Sequence, residues 1–253
     1  MRDDPIFICG FPKSGTTLVS QMFSNLPDVM IDKELHFASW MWVMMYQIGN
    51  SGGIQTDLHD HLSVRLRELA ANDFALFYQY FKDLFCKLHT GYALGLRWGN
   101  NCKPTIDHVA RVWRIFPAAK IIFMLRDPRD VWASVKHAQW PGQEHFTDFH
   151  FFKIRYREMY DRAQCAGVET LLYRDVITDP QIAFDLIGEE FRPEHLAGTG
   201  EIFRYRTLPI RYGESFADGL IRVHDQRYKT ELSAQEIADI EASFPDVLTR
   251  YDF

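Results

Sequence analysis

Eight consecutive residues near the N-terminus, Gly10 to Thr17, combine two glycines, a lysine and three hydroxyl side chains. The apolar run Ile6 to Phe11 leads into them, and a segment compatible with a helix, Leu18 to Leu26, follows. A strand, a glycine-rich turn and a helix N-terminus bring several backbone N–H groups and the positive end of a helix dipole to one point. This arrangement predicts a binding site for a phosphate or a similar oxyanion.

The spacing within this loop argues against the common nucleoside-triphosphate loop. That loop has the pattern G-x-x-x-x-G-K-[ST], in which a lysine directly follows the second glycine. Gly10 and Gly15 have the required spacing, but Thr16 follows the second glycine. The lysine stands earlier, as Lys13. A P-loop nucleotide or small-molecule kinase is therefore an alternative hypothesis and not the leading one.

A second candidate phosphate site follows the apolar run Lys120 to Leu125, which predicts a buried strand of a parallel sheet. Arg126 stands at the end of that run, and its planar guanidinium suits a dianionic phosphate. Asp127 and Asp130 repel phosphate, so we expect them to orient neighbouring groups or to cap the next helix. Ser134 is the first serine after this arginine.

The two motifs together resemble those of sulfotransferases that use 3′-phosphoadenosine 5′-phosphosulfate (PAPS). Segment 126–134 resembles the family's 3′-phosphate motif, in which an arginine and a later serine hold the phosphate, here Arg126 and Ser134. Segment 11–17 resembles the loop that binds the 5′-phosphosulfate. The resemblance assigns donor binding in that loop to Pro12, Lys13, Ser14, Gly15, Thr16 and Thr17.

The resemblance also implies which residues carry the chemistry. Segment 33–37 is similar to the K-E-x-H-F segment of carbohydrate-type and many bacterial members, in which the glutamate is the base, here Glu34. His36 is the alternative base, because imidazole titrates near neutral pH. Lys13 is the expected cation for the departing phosphate oxygen. Lys103, in a partial match to a K-[ST]-P segment, is expected to contact the sulfonate or the acceptor.

Two further stretches extend the predicted donor site. Segment 172–180 resembles the family's Y-E-D-[LM]-x-x-[DN]-P stretch and implies that Tyr173 lies near the adenine, although Arg174 replaces the usual glutamate. Cytosolic members close over the 3′-phosphate with an R-K-G loop, which this chain lacks. The candidates for that duty here are Arg222, Arg227 and Lys229.

The hydrophobic pattern predicts the elements that position these residues. Apolar residues at helical spacing predict helices between the strands. Thr105 is predicted to cap one of them, and Ser233 and Glu236 are predicted to form the capping box of the last helix. Alternating strands and helices predict an α/β fold, three-layer α/β/α with a central, mostly parallel sheet. The resemblance implies a P-loop NTPase-like sulfotransferase fold, as one domain over residues 1–253. The predicted strands are 6–11, 29–31, 94–98, 120–125 and 168–173.

Composition limits the compartment and the partners of the chain. Its 253 residues carry a net charge of −6, which argues against general binding to nucleic acid or to anionic membranes. The four cysteines form no C-x-x-C pair, the ten histidines are scattered, and no metal site is predicted. No apolar run approaches the roughly 20 residues of a membrane-spanning helix. With no signal-peptide pattern at its start, the chain is expected to be cytoplasmic.

The leading hypothesis from the sequence is a PAPS-dependent sulfotransferase that modifies a hydroxyl group of a carbohydrate or another small molecule. Its product would be adenosine 3′,5′-bisphosphate (PAP), and the reaction is expected to need no metal. A catalytically inactive nucleotide-binding relative is the second alternative, beside the kinase. The aromatic stretch 40–46 is expected to contribute apolar walls to the acceptor pocket.

Overall fold

The computed structural model describes residues 4–33, 82, 83, 86, 95–138, 144–196 and 226–251. Its strands are β1 (Ile6–Gly10), β2 (Val29–Lys33), β3 (Arg97–Asn101), β4 (Lys120–Leu125) and β5 (Glu169–Leu172). The α-helices of the described residues are α1 (Thr16–Ser24), α2 (Val109–Ile115), α3 (Pro128–Val135), α4 (Phe149–Ala166), α5 (Tyr173–Thr178), α6 (Gln181–Asp185), α7 (Tyr228–Glu231), α8 (Ala234–Ser243) and α9 (Pro245–Tyr251). Short 3₁₀ helices are Lys103–His108, Glu144–Thr147 and Pro193–Leu196.

The strands form one sheet in the order β2-β3-β1-β4-β5, and every neighbouring pair runs parallel. In the central strand β1, Ile6 lies opposite Gly99 of β3 on one side and opposite Lys120 of β4 on the other. The side chains of β1 are all buried, as are those of β4 after its first residue. Continuous apolar strands are typical of parallel sheets that are covered on both faces. The predicted α/β fold with a central parallel sheet is confirmed.

The alternation of side chains along the strands divides the core into two parts. Ile6 and Ile8 of β1 pack on one face with side chains from α1, α5 and α6. Phe7 and Cys9 pack on the other face with side chains from α2, α4, α8 and α9. Helices therefore cover both faces of the sheet, which confirms the predicted three layers.

The loop after β1 lies where the chain changes direction across the sheet. From β1 the chain passes to β2 at one edge, whereas from β3 it crosses to β4 on the far side of β1. Helix α1, which follows β1, and helix α2, which follows β3, pack on opposite faces. Ligands of open α/β sheets bind outside the carboxyl ends of the strands at such a switch point. The topology therefore places the glycine-rich loop where a ligand is expected.

The start of the helix after β3 differs from the sequence prediction. Thr105 caps no helix, because it lies within the 3₁₀ turn Lys103–His108, and α2 begins only after that turn. Pro104 accounts for the difference, since proline suits the first turn of a helix, where its missing N–H is not needed. A second prediction for a helix start is confirmed, because Ser233 and Glu236 form the capping box of α8.

Part of the predicted architecture falls outside the described residues. The aromatic stretch 40–46 is one such segment, so its expected place beside an acceptor stays a prediction. The assignment of residues 1–253 to a single domain also stays a prediction. In the described part of the chain, no helix is long and apolar enough to cross a membrane.

Candidate active site

The loop between β1 and α1 has an unusual backbone at three positions. The angle φ is 148° at Gly10, 71° at Lys13 and 96° at Gly15, and the N–H of Ser14 closes a turn on the carbonyl oxygen of Phe11 at 3.1 Å. A left-handed lysine costs on the order of 1 kcal/mol or more, and such strain persists only where the surrounding structure fixes it. The loop leads directly into α1, so its amides adjoin the positive end of a helix dipole.

The two glycines of the loop are required for space as well as for backbone conformation. A Cβ atom at Gly10 would lie 2.6 Å from the carbonyl oxygen of Met124 in β4. A Cβ atom at Gly15 would lie 2.5 Å from Cδ2 of Tyr173. Only glycine fits such close approaches at a positive φ. The loop is thus packed directly against β4 and against the Tyr173 ring.

Arg126 brings the second predicted motif to this loop. Its side chain is buried, and its Nη1 donates a hydrogen bond to the carbonyl oxygen of Lys13 at 3.0 Å. The guanidinium carbon lies 4.6 Å from the centre of the Tyr173 ring. The Tyr156 hydroxyl donates to the carbonyl oxygen of Arg126, which anchors the chain where it leaves β4. The two motifs, 113 residues apart along the chain, therefore meet at the carboxyl edge of the sheet.

The two aspartates of this motif orient their neighbours, as the sequence predicts. Oδ1 of Asp127 accepts the backbone N–H of Arg129 at 2.7 Å and so caps α3. Asp130 is fully buried, and its Oδ2 lies 3.8 Å from Nη2 of Arg126. Ser134 follows one turn later on α3 and is half-buried. Residues four apart share a helix face, so this serine lies on the same side of α3 as the buried aspartate.

Positive charge is concentrated around Lys13. Burial lowers the pKa of the Lys13 amino group, and the charges of Lys103, Arg227 and Arg126 lower it further. This repulsion between cations favours the binding of an anion, which would compensate it. The chain carries a net charge of −6, so the cluster is a local exception to the overall charge. A site of this kind favours a multiply charged anion.

The loop also offers hydroxyl groups. Ser14 is buried, and its Oγ has no hydrogen-bond partner among the residues that the structure describes. Thr16 is buried as well, Thr17 is partly exposed, and Pro12 is buried. Buried polar atoms nearly always have a partner. The Ser14 hydroxyl is therefore a suitable donor to a bound anion.

The remaining predicted site residues differ in whether the structure places them near Lys13. Lys103 begins the 3₁₀ turn after β3, and its charge acts on Lys13, as does that of Arg227. Lys229 is exposed, and its Nζ donates to Oε1 of Gln226 at 2.6 Å. Three predicted site residues lie outside the residues that the structure describes: Glu34, His36 and Arg222.

Two buried asparagines in β3 were not among the predicted site residues. Asn101 donates through Nδ2 to Oγ of Ser20 at 3.1 Å. Neither side-chain amide atom of Asn100 has a hydrogen-bond partner within the described ranges. Asparagine is depleted in strands, so two consecutive asparagines in an interior strand are the sequence signal that could have indicated a polar site there. They place polar groups at the carboxyl end of the strand beside β1.

Comparison with solved structures identifies domains of the same fold. The sulfotransferase domain of the olefin synthase from Synechococcus PCC 7002 has 17% sequence identity and a TM-score of 0.60, with 96% of each chain covered. The sulfotransferase domain from the curacin biosynthetic pathway has 16% identity and a TM-score of 0.57, with 96% of this chain and 97% of that chain covered. At this level of identity the similarity shows the fold alone. A comparison with curated proteins found no match.

A comparison with protein families assigns most of the chain. The model of the sulfotransferase family matches residues 5–191. The matched region contains the loop after β1, the motif after β4 and all five strands of the sheet. This chain therefore belongs to the sulfotransferase family.

Proposed function

We propose that the chain transfers a sulfuryl group from PAPS to a hydroxyl group of a carbohydrate or another small molecule. The observation that supports this most is the hydrogen bond from Arg126 to the carbonyl oxygen of Lys13. It joins two separate candidate phosphate sites within one cationic region. A nucleotide with phosphates at both its 5′ and 3′ positions is a ligand that uses two such sites at once.

The described residues fit such a donor. The Ser14 hydroxyl is buried and has no partner among them, and the cations around Lys13 repel one another without an anion. The Tyr173 ring touches Gly15 and lies against the guanidinium of Arg126, so it borders both candidate phosphate sites. An aromatic ring at this position is suited to contact the adenine.

Within the proposed reaction the donor supplies the sulfuryl group, and the chain holds the donor and manages charge. The residues that would hold the 5′-phosphosulfate are Ser14, Thr16 and Thr17, together with the loop amides. Arg126 and Ser134 would hold the 3′-phosphate. Lys13 would place its ammonium group beside the phosphate oxygen on which negative charge develops. Preorganised charge of this type is the electrostatic contribution expected of such a site.

The proposed base follows β2. Glu34 is the first choice and directly follows Lys33, the last residue of that strand; His36, the alternative, comes two residues after Glu34. β2 is parallel to β3 and β1, so its carboxyl end lies at the same edge of the sheet as the glycine-rich loop. A base must come within hydrogen-bond reach of the acceptor hydroxyl. The start of this segment at the correct edge supports the assignment.

Calorimetric titration tests the donor proposal. We expect PAP to bind without magnesium and ATP with magnesium to produce no response. The variant Arg126→Ala should weaken the binding of PAP by about tenfold or more, because charge-assisted contacts with phosphate are lost. Arg157→Ala is the matched control, since this arginine pairs with Asp246 on the surface and should leave the affinity unchanged.

The opposite result would support an alternative. Magnesium-dependent binding of ATP without binding of PAP would replace the sulfotransferase by a kinase. Binding of PAP without sulfuryl transfer to any class of acceptor would favour a catalytically inactive relative. A screen of sugars, phenols, alcohols and amines with PAPS as donor distinguishes this case and identifies the acceptor.

A further inference from the structure

The carboxylate of Asp130 on α3 binds two backbone amides of the C-terminal segment 226–231. Its Oδ2 accepts the N–H of Gln226 at 2.8 Å, and its Oδ1 accepts the N–H of Tyr228 at 3.2 Å. The aspartate is completely buried, so its charge depends on these polar contacts in place of water. The residue between the two bound amides is Arg227.

A second contact fixes the same segment. The guanidinium carbon of Arg129 lies 4.3 Å from the centre of the Tyr228 ring. Arg129 also pairs with Asp127 at the start of α3 and with Glu241 of α8, at 2.7 and 2.8 Å. Segment 226–231 is therefore held against α3 by two adjacent residues of the Arg126 motif, Arg129 and Asp130.

The backbone of the segment is strained at its start. Gln226 has φ of 62°, a left-handed conformation that residues other than glycine adopt at an energetic cost. The bond from its N–H to Asp130 is one interaction that holds it there. Strain of this kind persists where the surrounding structure over-determines it, often at a binding site.

The strained backbone at Gln226 directly precedes Arg227, which lies near Lys13. The charge of Arg227 is among those that lower the pKa of Lys13, so the two cations lie close enough to repel each other. The half-exposed Arg227 side chain pairs with Glu231 at 2.7 Å, which orients it along α7. Without an anion in the site, this repulsion disfavours the position of Arg227. The contacts of Asp130 with the flanking amides oppose its displacement.

We propose that Asp130 is a positioning residue that acts through the backbone of Gln226 and Tyr228 to hold Arg227 against the 3′-phosphate of the donor. The inference rests on the proposed function, because that phosphate belongs to PAPS or PAP. Asp130 also lies 3.8 Å from Nη2 of Arg126. One buried carboxylate thus links an arginine at the end of β4 with an arginine from the C-terminal segment.

A double-mutant cycle tests this coupling. PAP is titrated into the wild type, Asp130→Asn, Arg227→Ala and the double variant, and adenosine 5′-monophosphate serves as the ligand without a 3′-phosphate. We expect Asp130→Asn to weaken PAP by about tenfold, the usual size for a lost charge-assisted contact, and to leave the monophosphate unaffected. In the Arg227→Ala background the same change should weaken PAP less than about twofold, because residues that act as one unit are not additive.

Control variants and outcomes separate this role from a merely structural one. Asp246→Asn removes a surface ion pair with Arg157 and should leave both affinities unchanged. An additive loss in the cycle would overturn the proposal and assign the effect of Asp130 to its ion pair with Arg126. Equal weakening of PAP and the monophosphate would also overturn it. Wild-type protein that binds no PAP would overturn the proposed function itself, which is a different result.

Amide hydrogen exchange of the wild type provides a test that does not depend on the folding of a variant. The N–H groups of Gln226 and Tyr228 should be protected in the free protein, because Asp130 binds both. PAP should increase their protection, and adenosine 5′-monophosphate should increase it less. Unprotected amides, or equal responses to both nucleotides, would contradict the proposal.

Discussion

At the scale of single residues, Lys13 combines two unusual properties. Its backbone is left-handed, and the pKa of its amino group is lowered by burial and by neighbouring cations. Its carbonyl oxygen accepts the hydrogen bond from Arg126. The backbone of Lys13 therefore binds the second motif, and its side chain provides a cation. The proposed role at the leaving phosphate oxygen requires the protonated form, which a bound anion favours.

The titration of Lys13 predicts a pH dependence of binding. The affinity for PAP should fall as the pH rises through the lowered pKa of Lys13, which is below its ordinary value of 10.5. The anion favours the ammonium form, so binding near this pKa takes up a proton. Titrations in buffers of different ionisation enthalpy measure that uptake. Lys13→Met should abolish it, whereas Lys153→Met on α4 should not, and undiminished uptake in the first variant would refute the assignment.

The lowered pKa of Lys13 also makes the stability of the ligand-free protein depend on pH. Between the lowered pKa and 10.5, the unfolded chain binds more protons at Lys13 than the folded chain does. Stability contributed by this group therefore rises with pH through that window. Binding of PAP and stability of the free protein should thus respond to pH in opposite directions.

The proposed base predicts a separation of binding from turnover. Glu34→Gln should reduce sulfuryl transfer by about 10²-fold or more, because general-base catalysis contributes on that order, while the affinity for PAP stays the same. His36→Gln is the paired variant. Near-normal turnover of Glu34→Gln with a large loss in His36→Gln would move the base to the histidine.

At the scale of elements, close packing of the loop on β4 and α5 fixes the site. The space at Gly10 is filled by the backbone of Met124, which cannot rotate away as a side chain can. The strand order then brings the carboxyl ends of β1, β3 and β4 together. The geometry of the loop therefore depends on the whole centre of the sheet.

This packing predicts a difference between two glycine substitutions. Gly10→Ala should lower the free energy of unfolding by roughly 2–4 kcal/mol, because both the close contact and the positive φ oppose a side chain. Gly188→Ala should lower it by only about 1 kcal/mol, since Gly188 has φ of 73° but nothing within 4 Å of the added Cβ. Urea unfolding of both variants measures the difference. Equal losses in the free energy of unfolding would mean that β4 shifts to make room for the added Cβ at position 10.

The elements differ in how well the sequence predicts them. β4 was predicted with the correct bounds, because a continuous β-branched run followed by a turn has few alternatives. The capping box of Ser233 was also predicted, since its side chains carry the signal. β3 was placed a few residues early, because Asn100 and Asn101 are polar and hide the strand. This segment forms a strand because it pairs with both β1 and β2 in the interior of the sheet, and the local sequence pattern does not reveal that pairing.

At the scale of the whole molecule, the site draws on distant parts of the chain. The resemblance to a family predicts that the loop around Lys13 and the motif around Arg126 bind one donor, but it does not predict the hydrogen bond between these two residues. The binding of segment 226–231 by Asp130 was not predicted, because backbone N–H groups donate both hydrogen bonds and leave no mark in the side-chain pattern. Sequence patterns therefore predict which residues carry charge better than they predict which backbone groups hold those residues in place.

The left-handed backbone of Gln226 also has a consequence for laboratory evolution. Glycine adopts φ of 62° without steric strain, and among contacts with described residues the substitution would remove only the exposed one between the side chains of Gln226 and Lys229. Selection for thermostability alone should therefore recover Gln226→Gly readily, whereas it should retain glycine at position 10. Natural proteins retain such unexploited stabilising changes because selection acts only against loss of function.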